Sequence, residues 1–414
     1  MMLSPDQETA KAAVLAALLK PVRRGGWDAR KPPEAVLVGP AGSGKTTLLK
    51  SVLADLKAAG REVTLLAPTA KAASRAKEVV GVPARTIHSA LYRRVIEDEE
   101  DGDPFFDDPQ AVATGGGVVV VDEASMVGSR LYDDLVGKLP PDVPVLWVGD
   151  KEQLPPVKDT WGPDLDNPTG HLTQVHRQAQ GSPIIRLATA IRMGGDWRRM
   201  GNASGFHRAQ GRVAKVGQWL AAERRKGRDS ICLTWANATR HRVNAAVREA
   251  RGHVGDAPVP GDRLVCLRNN HALGWWNGEV REVVSTHQED PWRPEPGLGA
   301  DMWLGPRAVA DGALAVKLGR GVANLLVGAR MGNAVAHRER QLAASGQWER
   351  GWLTMADWGE CLTIHKSQGS QWDRVCIVMD DKMAGLERRN REDFRRLLYT
   401  AVTRAREALF IVEV

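Results

Sequence analysis

The segment that most constrains the fold is GPAGSGKT at residues 39–46, which directly follows the apolar stretch AVLV at residues 35–38. The helix-forming run TTLLKSVLADLKAAG comes next and ends at Gly60. An apolar strand, a glycine-rich turn and a helix in this order are typical of a loop that binds nucleotide phosphates. Glycines let successive backbone N–H groups turn inward around the phosphates, at the positive end of the helix. We therefore predict a nucleotide site here rather than a glycine-rich turn with a chance lysine, and call residues 39–46 the phosphate loop.

The predicted roles within this loop follow from its side chains. Lys45 is placed to bridge the β- and γ-phosphates of ATP, and the Thr46 hydroxyl is placed to bind Mg²⁺. The predicted nucleotide contacts in and beside the loop are Gly39, Pro40, Ala41, Gly42, Ser43, Gly44, Lys45, Thr46 and Thr47.

A second strand, VVVV at residues 118–121, ends in Asp122 and Glu123. Four consecutive valines are typical of a buried parallel strand, and ligands of α/β proteins bind at the carboxyl edge of such strands. We predict that Asp122 holds Mg²⁺ through water and that Glu123 orients and deprotonates the attacking water. An Asp–Glu pair at a strand end also occurs by chance, so its combination with the phosphate loop is what indicates ATP hydrolysis.

The alternation of strands and helices predicts an α/β fold with two halves, residues 1–90 with 118–160 and residues 161–260 with 358–414. Residues 91–117 interrupt the first half with an acidic, turn-rich stretch, which we predict to be a small hairpin insertion. Residues 261–357 interrupt the second half with short strand-like pieces and then a helical, tryptophan-bearing stretch. We predict a small β-barrel with a helical extension there.

Composition excludes several classes of protein. The chain of 414 residues is 43% hydrophobic and 26% charged, as globular proteins are, and it has no run of 18 apolar residues that would predict a membrane span. Its four cysteines are widely separated and lack zinc-site spacing, which predicts buried thiols. A formal net charge of +7 permits a polyanionic partner. We expect an intracellular protein with no membrane partner.

Seven further segments occur in an order that is typical of one family. They are SPDQ (4–7), APTAKAA (67–73), RTIHSAL (85–91), GDKEQLPP (149–156), VHRQ (175–178), IHKSQG (364–369) and YTAVTRAR (399–406). With the phosphate loop and DEAS (122–125), they resemble the motif series of superfamily 1 helicases, particularly the RecD-like and phage Dda-like branch that moves 5′→3′ on DNA. The resemblance covers almost the whole chain.

The resemblance implies two RecA-like P-loop NTPase domains with ATP and Mg²⁺ bound in the cleft between them. It implies that Gln7 reads the adenine edge, that His176 packs near the base and that Gly369 contacts the nucleotide. Gln153 is then placed to contact the γ-phosphate. Arg177 and Arg404 are expected to neutralise charge on the γ-phosphoryl group in the transition state.

The resemblance also implies contacts with a single strand of DNA. The expected residues are Thr69, Thr86, His88, Asn237, His365, Lys366 and Ser367. Such groups suit phosphate and sugar rather than base-specific contacts. Phe105 and Phe106 lie where the family has a strand-separating pin, and either wedge the first base pair or anchor the hairpin. Trp275 and Trp276 either face the strand or fill the barrel, which would be SH3-like; we expect the second.

The sequence thus predicts a monomeric or weakly associating, cytoplasmic, ATP-dependent DNA helicase of a bacterial or phage-infected cell. Its expected partners are single-stranded DNA and single/double-strand junctions, with single-stranded-DNA-binding or replication proteins as further candidates. The alternatives are a DNA or RNA translocase without strand separation, the motor subunit of a larger recombination complex, and a module that uses ATP only as a clamp. Replication, recombination and repair all stay open as pathways.

Overall fold

The computed structural model describes residues 3–20, 31–91, 93–94, 106–107, 112, 115–156, 159–175, 181–253, 258–267, 269, 275–283, 293–294, 303–304, 324–327 and 353–414. Within these residues the helices are α1 (Pro5–Leu18), α2 (Lys45–Ala58), α3 (Ala70–Val80), α4 (Ile87–Leu91), α5 (Ser129–Lys138), α6 (Pro183–Arg192), α7 (Val213–Arg225), α8 (Asn237–Ala250), α9 (Asp381–Arg389) and α10 (Arg391–Val402).

The strands before residue 240 are β1 (Glu34–Val38), β2 (Val63–Ala67), β3 (Ala84–Thr86), β4 (Arg93–Arg94), β5 (Phe106–Asp107), β6 (Val118–Val121), β7 (Val145–Gly149), β8 (Gly170–His171), β9 (Phe206–Gln210) and β10 (Ser230–Thr234). The later strands are β11 (Arg263–Cys266), β12 (Val280–Glu282), β13 (Arg293–Pro294), β14 (Trp303–Leu304), β15 (Asn324–Val327), β16 (Leu353–Trp358), β17 (Cys361–Thr363), β18 (Trp372–Met379) and β19 (Ala405–Glu413).

The chain forms two compact units, and the first contains Met1–Met200, Gln368–Ser370 and Arg391–Thr403. Its sheet has six parallel strands in the order β3-β2-β6-β7-β1-β8. The parallel α/β fold predicted for this half is confirmed. The phosphate loop follows β1 and the Asp–Glu pair follows β6, so both lie at the carboxyl edge of one sheet.

Burial on both faces explains the valine run of β6. Val119 and Val121 join the hydrophobic cluster on one face of the sheet, and Val118 and Val120 join the cluster on the other face. All four side chains are fully buried. Because full burial of a valine contributes roughly 1.5 kcal/mol or more, this strand is held firmly in the centre of the sheet.

The second unit contains Gly201–Ser367, Gln371–Asn390 and Arg404–Val414. Its main sheet has five parallel strands in the order β17-β10-β18-β19-β9. Apolar residues of α7 and α8 share a buried cluster with Cys232, Cys361 and Cys376 of three neighbouring strands. All four cysteines are free and buried, as predicted.

A further sheet in this unit has the order β12-β11-β16-β15-β14-β13. Its strand pairs are antiparallel except for β15 with β16. Closure into an SH3-like barrel stays a prediction, and the predicted helical extension at 330–352 lies outside the described residues. Trp275 is fully buried and its indole Nε1 donates to the Glu279 carbonyl oxygen at 3.1 Å, which confirms the packed interpretation for that residue.

The predicted hairpin at 91–117 is described only in part. Arg93 and Arg94 of β4 pair in antiparallel register with Asp107 and Phe106 of β5. Phe105 lies outside the described residues, and of Phe106 only the backbone is described. Its proposed role as a pin therefore stays a prediction.

The two units divide the chain differently from the predicted boundary at residue 160. Residues 161–200 belong to the first unit because β8 extends the first sheet beside β1. The segment Arg391–Thr403 also belongs to it, and α10 packs against α6 there. No helix among the described residues is long and apolar enough to cross a membrane.

Candidate nucleotide site

The conformation of the phosphate loop depends on three glycines. Gly42 and Gly44 have φ angles of 80° and 79°, in the left-handed region that glycine adopts without strain. A Cβ atom at Gly39 would lie 2.6 Å from the Ser43 hydroxyl oxygen and 2.8 Å from Leu172 Cβ. Glycine at these three positions is therefore required by backbone geometry and by close packing.

Lys45 lies across this loop. Its Nζ donates hydrogen bonds to the carbonyl oxygens of Gly39 at 2.6 Å and Pro40 at 3.2 Å. Thr46 is exposed and Thr47 half-buried in the first turn of α2, where backbone N–H groups lack helical partners. When a phosphate binds, its oxygens would replace these two carbonyl oxygens as acceptors for the Lys45 Nζ.

Gln7 connects α1 to the phosphate loop. Its Oε1 accepts from the Ser4 N–H at 3.0 Å in a capping box, and its Nε2 donates to the Ser43 carbonyl oxygen at 3.2 Å. The amide thus contacts the loop on one side and caps the helix on the other. Reading of an adenine edge by Gln7 stays a prediction, and this capping role was not foreseen from the sequence.

The acidic pair lies at the end of β6. Burial, and then the neighbouring Glu123 carboxylate, raise the pKa of Asp122 to about 6, although Lys45 and Arg75 act in the opposite direction. The Asp122 Oδ1 accepts the Glu123 N–H at 2.9 Å. Glu123 has a φ of 56°, the only left-handed non-glycine residue among those described. Strained backbone of this kind is concentrated at functional sites.

Arg75 was not identified from the sequence, although its position on α3 brings it to the site. Its guanidinium influences Asp122, and its Nη1 donates to the Gly369 carbonyl oxygen at 3.4 Å. Gly369, a predicted nucleotide contact, has a φ of 72° and belongs to the same compact unit. Gly369 and the acidic pair therefore have a common neighbour in Arg75.

The loop after β7 brings two more polar side chains to this edge of the sheet. Asp150 and Gln153 are both buried. The Asp150 Oδ1 accepts the Glu152 N–H at 3.1 Å, and its Oδ2 accepts from the Gln153 Nε2 at 3.4 Å. The predicted γ-phosphate contact, Gln153, is thus oriented by a neighbouring carboxylate.

Helix α10 supplies a residue that the sequence did not single out. The Tyr399 hydroxyl accepts the Ala41 N–H of the phosphate loop at 2.9 Å and donates to Asp150 Oδ2 at 2.9 Å. The next residue, Thr400, accepts the Leu154 N–H at 3.0 Å through its Oγ1. Tyr399 stands in the segment YTAVTRAR, but its sequence neighbours do not indicate a contact with a loop some 358 positions earlier.

The predicted DNA contacts of the first unit lie at the starts of helices. The Thr69 Oγ1 accepts the Ala72 N–H at 3.2 Å as the N-cap of α3. The Thr86 Oγ1 accepts the Ser89 N–H at 3.0 Å, and His88 is exposed on α4. Both threonine hydroxyls therefore also have a structural function.

Five predicted residues belong to the second unit. Asn237 is exposed at the start of α8, and burial lowers the pKa of both His365 and Lys366. Ser367 is fully buried and donates through Oγ to the Ile364 carbonyl oxygen at 2.6 Å, so its hydroxyl faces inward. Arg404 is buried immediately before β19. His176 and Arg177 lie outside the described residues.

Known proteins resemble this chain in sequence and in fold. The AAA domain family matches residues 31–218, and the UvrD-like helicase C-terminal domain family matches residues 359–412. The ATP-dependent RecD2 DNA helicase of Deinococcus radiodurans is 31% identical over an alignment of 397 residues that covers 91% of this chain and 46% of the relative. The ATP-dependent DNA helicase dda of Enterobacteria phage T4 is 32% identical over 166 residues, 38% of this chain and 37% of the relative.

These matches confirm the resemblance found in the sequence. The chain is similar in sequence to RecD-like superfamily 1 helicases. The crystal structure of Pif1 helicase from Candida albicans covers all of this chain with a TM-score of 0.50 at 16% identity, and this chain covers 94% of it; that likeness shows the fold of two RecA-like units. The chain spans about half the length of the D. radiodurans relative.

The RecD-like site suits Mg²⁺ with ATP. Among the described residues no three His, Cys, Asp or Glu side chains form a ready-made metal site. Mg²⁺ does not need one, because it is usually held by one or two carboxylates together with substrate phosphates. The raised pKa of Asp122 indicates a carboxylate with too little positive charge around it, which a divalent cation would supply. That Thr46 and Asp122 hold the ion stays a prediction.

Proposed function

We propose that this RecD-like chain is an ATP-dependent motor that moves 5′→3′ on single-stranded DNA and separates duplex strands. The observation on which this depends is the arrangement at the carboxyl edge of the first sheet. The phosphate loop with Lys45 and the acidic pair meet there, and Lys45 is close enough to Asp122 to affect its pKa. A nucleotide triphosphate with a divalent cation fits both the donors of the loop and the desolvated carboxylate.

The proposed chemistry uses groups of this chain in fixed places. Backbone N–H groups of the phosphate loop and Lys45 bind the phosphates, and Thr46 with Asp122 would hold Mg²⁺. The ion supplies neutralisation of charge on the phosphate oxygens. Glu123 takes a proton from the attacking water, and Gln153 orients that water or the γ-phosphate from the neighbouring loop.

The two arginine roles are part of the proposal. Arg404, and Arg177 beyond the described residues, neutralise charge that develops on the γ-phosphoryl group. Arginine fingers contribute about 10³–10⁵ in rate where they have been measured. Arg404 belongs to the second unit and the phosphate loop to the first, so a role of Arg404 in hydrolysis would make turnover depend on both units, as a translocating motor requires.

The proposed substrate is DNA, on two grounds. The relatives named above are called DNA helicases, and the net charge of +7 favours a polyanion. The candidate strand contacts His88, Asn237 and Lys366 are polar or cationic groups suited to a sugar–phosphate backbone. The polarity is taken from the resemblance to the RecD-like and Dda-like branch.

The test combines ATP turnover with strand separation on matched duplexes that carry either a 5′ or a 3′ single-stranded tail. We expect DNA-stimulated hydrolysis and unwinding only from the 5′ tail. Glu123→Gln should keep nucleotide and DNA binding but lower turnover about 10²–10⁴-fold, because it removes the general base.

Each other outcome would overturn a different part of the proposal. Unwinding only from the 3′ tail would contradict the polarity. Stimulated hydrolysis without separation would leave a translocase, and an equal response to single-stranded RNA would contradict the choice of DNA. Full function of Glu123→Gln would indicate a clamp instead of a motor.

A further inference from the structure

The Tyr399 hydroxyl links two parts of the nucleotide site that are far apart in sequence. It accepts the Ala41 N–H at 2.9 Å and donates to Asp150 Oδ2 at 2.9 Å, and its side chain is 1% exposed. A phenol has one O–H donor and acceptor lone pairs, so both functions are in use.

The carboxylate that Tyr399 contacts also orients Gln153. The Asp150 Oδ2 accepts from both Tyr399 and the Gln153 Nε2, the second at 3.4 Å. The same loop is attached to α10 a second time, through the Leu154 N–H and Thr400 Oγ1. Residues 150–154 are therefore fixed to the phosphate loop through one helix.

We propose that Tyr399 is a positioning residue for ATP hydrolysis, which sets the place of Gln153 through Asp150 and fixes the phosphate loop through Ala41. This inference rests on the proposed hydrolysis of ATP at the phosphate loop. Misplacement of a catalytic group by about 1 Å can cost about 10²-fold in rate, so a hydroxyl that fixes two groups at once affects turnover without touching substrate.

Electrostatics agree with this role. Burial and the nearby Asp150 carboxylate raise the pKa of Tyr399 far above its ordinary value. The phenol is therefore protonated at neutral pH and can donate to Asp150.

The test is Tyr399→Phe in the full chain, with steady-state hydrolysis of MgATP at saturating single-stranded DNA. We expect kcat to fall about tenfold or more while KM and the affinity for a fluorescent ATP analogue change less than about threefold, because the loss is one of orientation and not of binding. A kcat within about twofold of the wild type would overturn the inference.

Tyr132→Phe is a matched control for stability. Its hydroxyl donates to the Glu34 Oε1 at 2.6 Å, so this variant also removes a phenol–carboxylate hydrogen bond in the same unit. Glu34 begins β1, at the opposite end of the strand from the phosphate loop. Both variants should lower the urea midpoint, and only Tyr399→Phe should lower kcat. Equal kcat losses in the two variants would indicate a merely structural role.

Asp150→Asn tests whether Tyr399 acts on Gln153 through Asp150. It also replaces Tyr399→Phe as the test if that variant folds poorly. It keeps the shape and one acceptor but removes the charge that Tyr399 and Gln153 share. If both residues act through one arrangement, the double variant should be no slower than the slower single variant. If the losses of kcat in the two single variants multiply in the double variant, Tyr399 does not act through Asp150.

If the wild type itself fails to hydrolyse ATP, or Glu123→Gln hydrolyses it normally, the proposed function fails and not only the role of Tyr399.

Discussion

Each unit of the molecule contains a desolvated carboxylate, and the two differ in what surrounds them. Burial raises the pKa of Asp122 in the first unit and of Glu360 in the second. Asp122 has a second carboxylate beside it, with Lys45 and Arg75 as the opposing charges. Glu360 faces three arginines, with its Oε1 3.4 Å from Arg224 Nε and 3.9 Å from Arg251 Nη1.

The difference shows that a raised pKa does not by itself identify a functional carboxylate. Glu360 is 4% exposed, and arginines of α7 and β11 are already placed as its counter-charges. Asp122 lies at the carboxyl edge of a sheet, beside the phosphate loop. Repulsion from Glu123 further disfavours the ionised form of Asp122. An added cation would favour the ionised form of Asp122, whereas three arginines already do so at Glu360.

The sharpest test of this comparison is Asp122→Asn, which keeps the acceptor for the Glu123 N–H but removes the charge. Loss of a group that orients or holds a metal ion lowers metal affinity about 10–100-fold. The Mg²⁺ concentration for half-maximal ATP hydrolysis should rise by that factor. An unchanged Mg²⁺ dependence would remove Asp122 from the metal site.

The same variant should stabilise the protein when nucleotide and Mg²⁺ are absent. The pKa of Asp122 is about 6 in the folded state against 3.8 for a solvent-exposed aspartate, so the folded state binds this proton more tightly. The contribution of this group to the free energy of unfolding is therefore greatest below pH 3.8 and falls as the pH rises through 6. Asp122→Asn should raise the free energy of unfolding at pH 7 by up to about 3 kcal/mol, measured in urea. A destabilised variant would contradict the assignment of an uncompensated charge.

The acid limb of the pH profile should depend on Mg²⁺. A metal ion binds the ionised carboxylate, so protons and Mg²⁺ compete for Asp122. At limiting Mg²⁺, turnover should fall up to about tenfold per pH unit below about 6, and excess Mg²⁺ should move this fall to lower pH. Profiles at two Mg²⁺ concentrations measure the effect. Two superimposable profiles would assign the acid limb to another group.

Local sequence was sufficient to predict the parts of the site that are formed by a single strand and the turn that follows it. The phosphate loop depends on glycines within eight residues, and the acidic pair follows directly from four valines. Tyr399 was missed because its two hydrogen bonds join it to residues 358 and 249 positions away. Neither hydrophobic periodicity nor motif spacing within one segment indicates a contact between residues so far apart in the chain.

The parts of the fold that were missed have the same cause. The boundary after residue 160 was predicted from the alternation of elements, but the two-residue strand β8 gives almost no sequence signal and extends the first sheet. Local sequence also does not indicate what neutralises Glu360, a charged residue beside a buried strand. Its arginine partners come from α7, from the end of α8 and from β11, and only the folded unit brings them together.

Glu360→Gln tests the second carboxylate of the comparison. Of the variants in this comparison, it should have the smallest effect on turnover and stability. The variant removes the cost of a buried charge but also leaves Arg224, Arg251 and Arg263 without their shared counter-charge, so these two changes oppose each other. Turnover and Mg²⁺ dependence should stay within about twofold of the wild type, and the free energy of unfolding should change by less than about 2 kcal/mol. The urea midpoint of the variant should also vary less between pH 7 and pH 5 than that of the wild type, because burial raises the pKa of Glu360.

Glu282→Gln is the matched control, since Glu282 is the exposed partner of the same Arg224, and a surface pair contributes about 1 kcal/mol at most. A tenfold loss of turnover in Glu360→Gln but not in Glu282→Gln would show that the second carboxylate also serves the reaction, and that enclosure by arginines does not distinguish a structural group from a functional one.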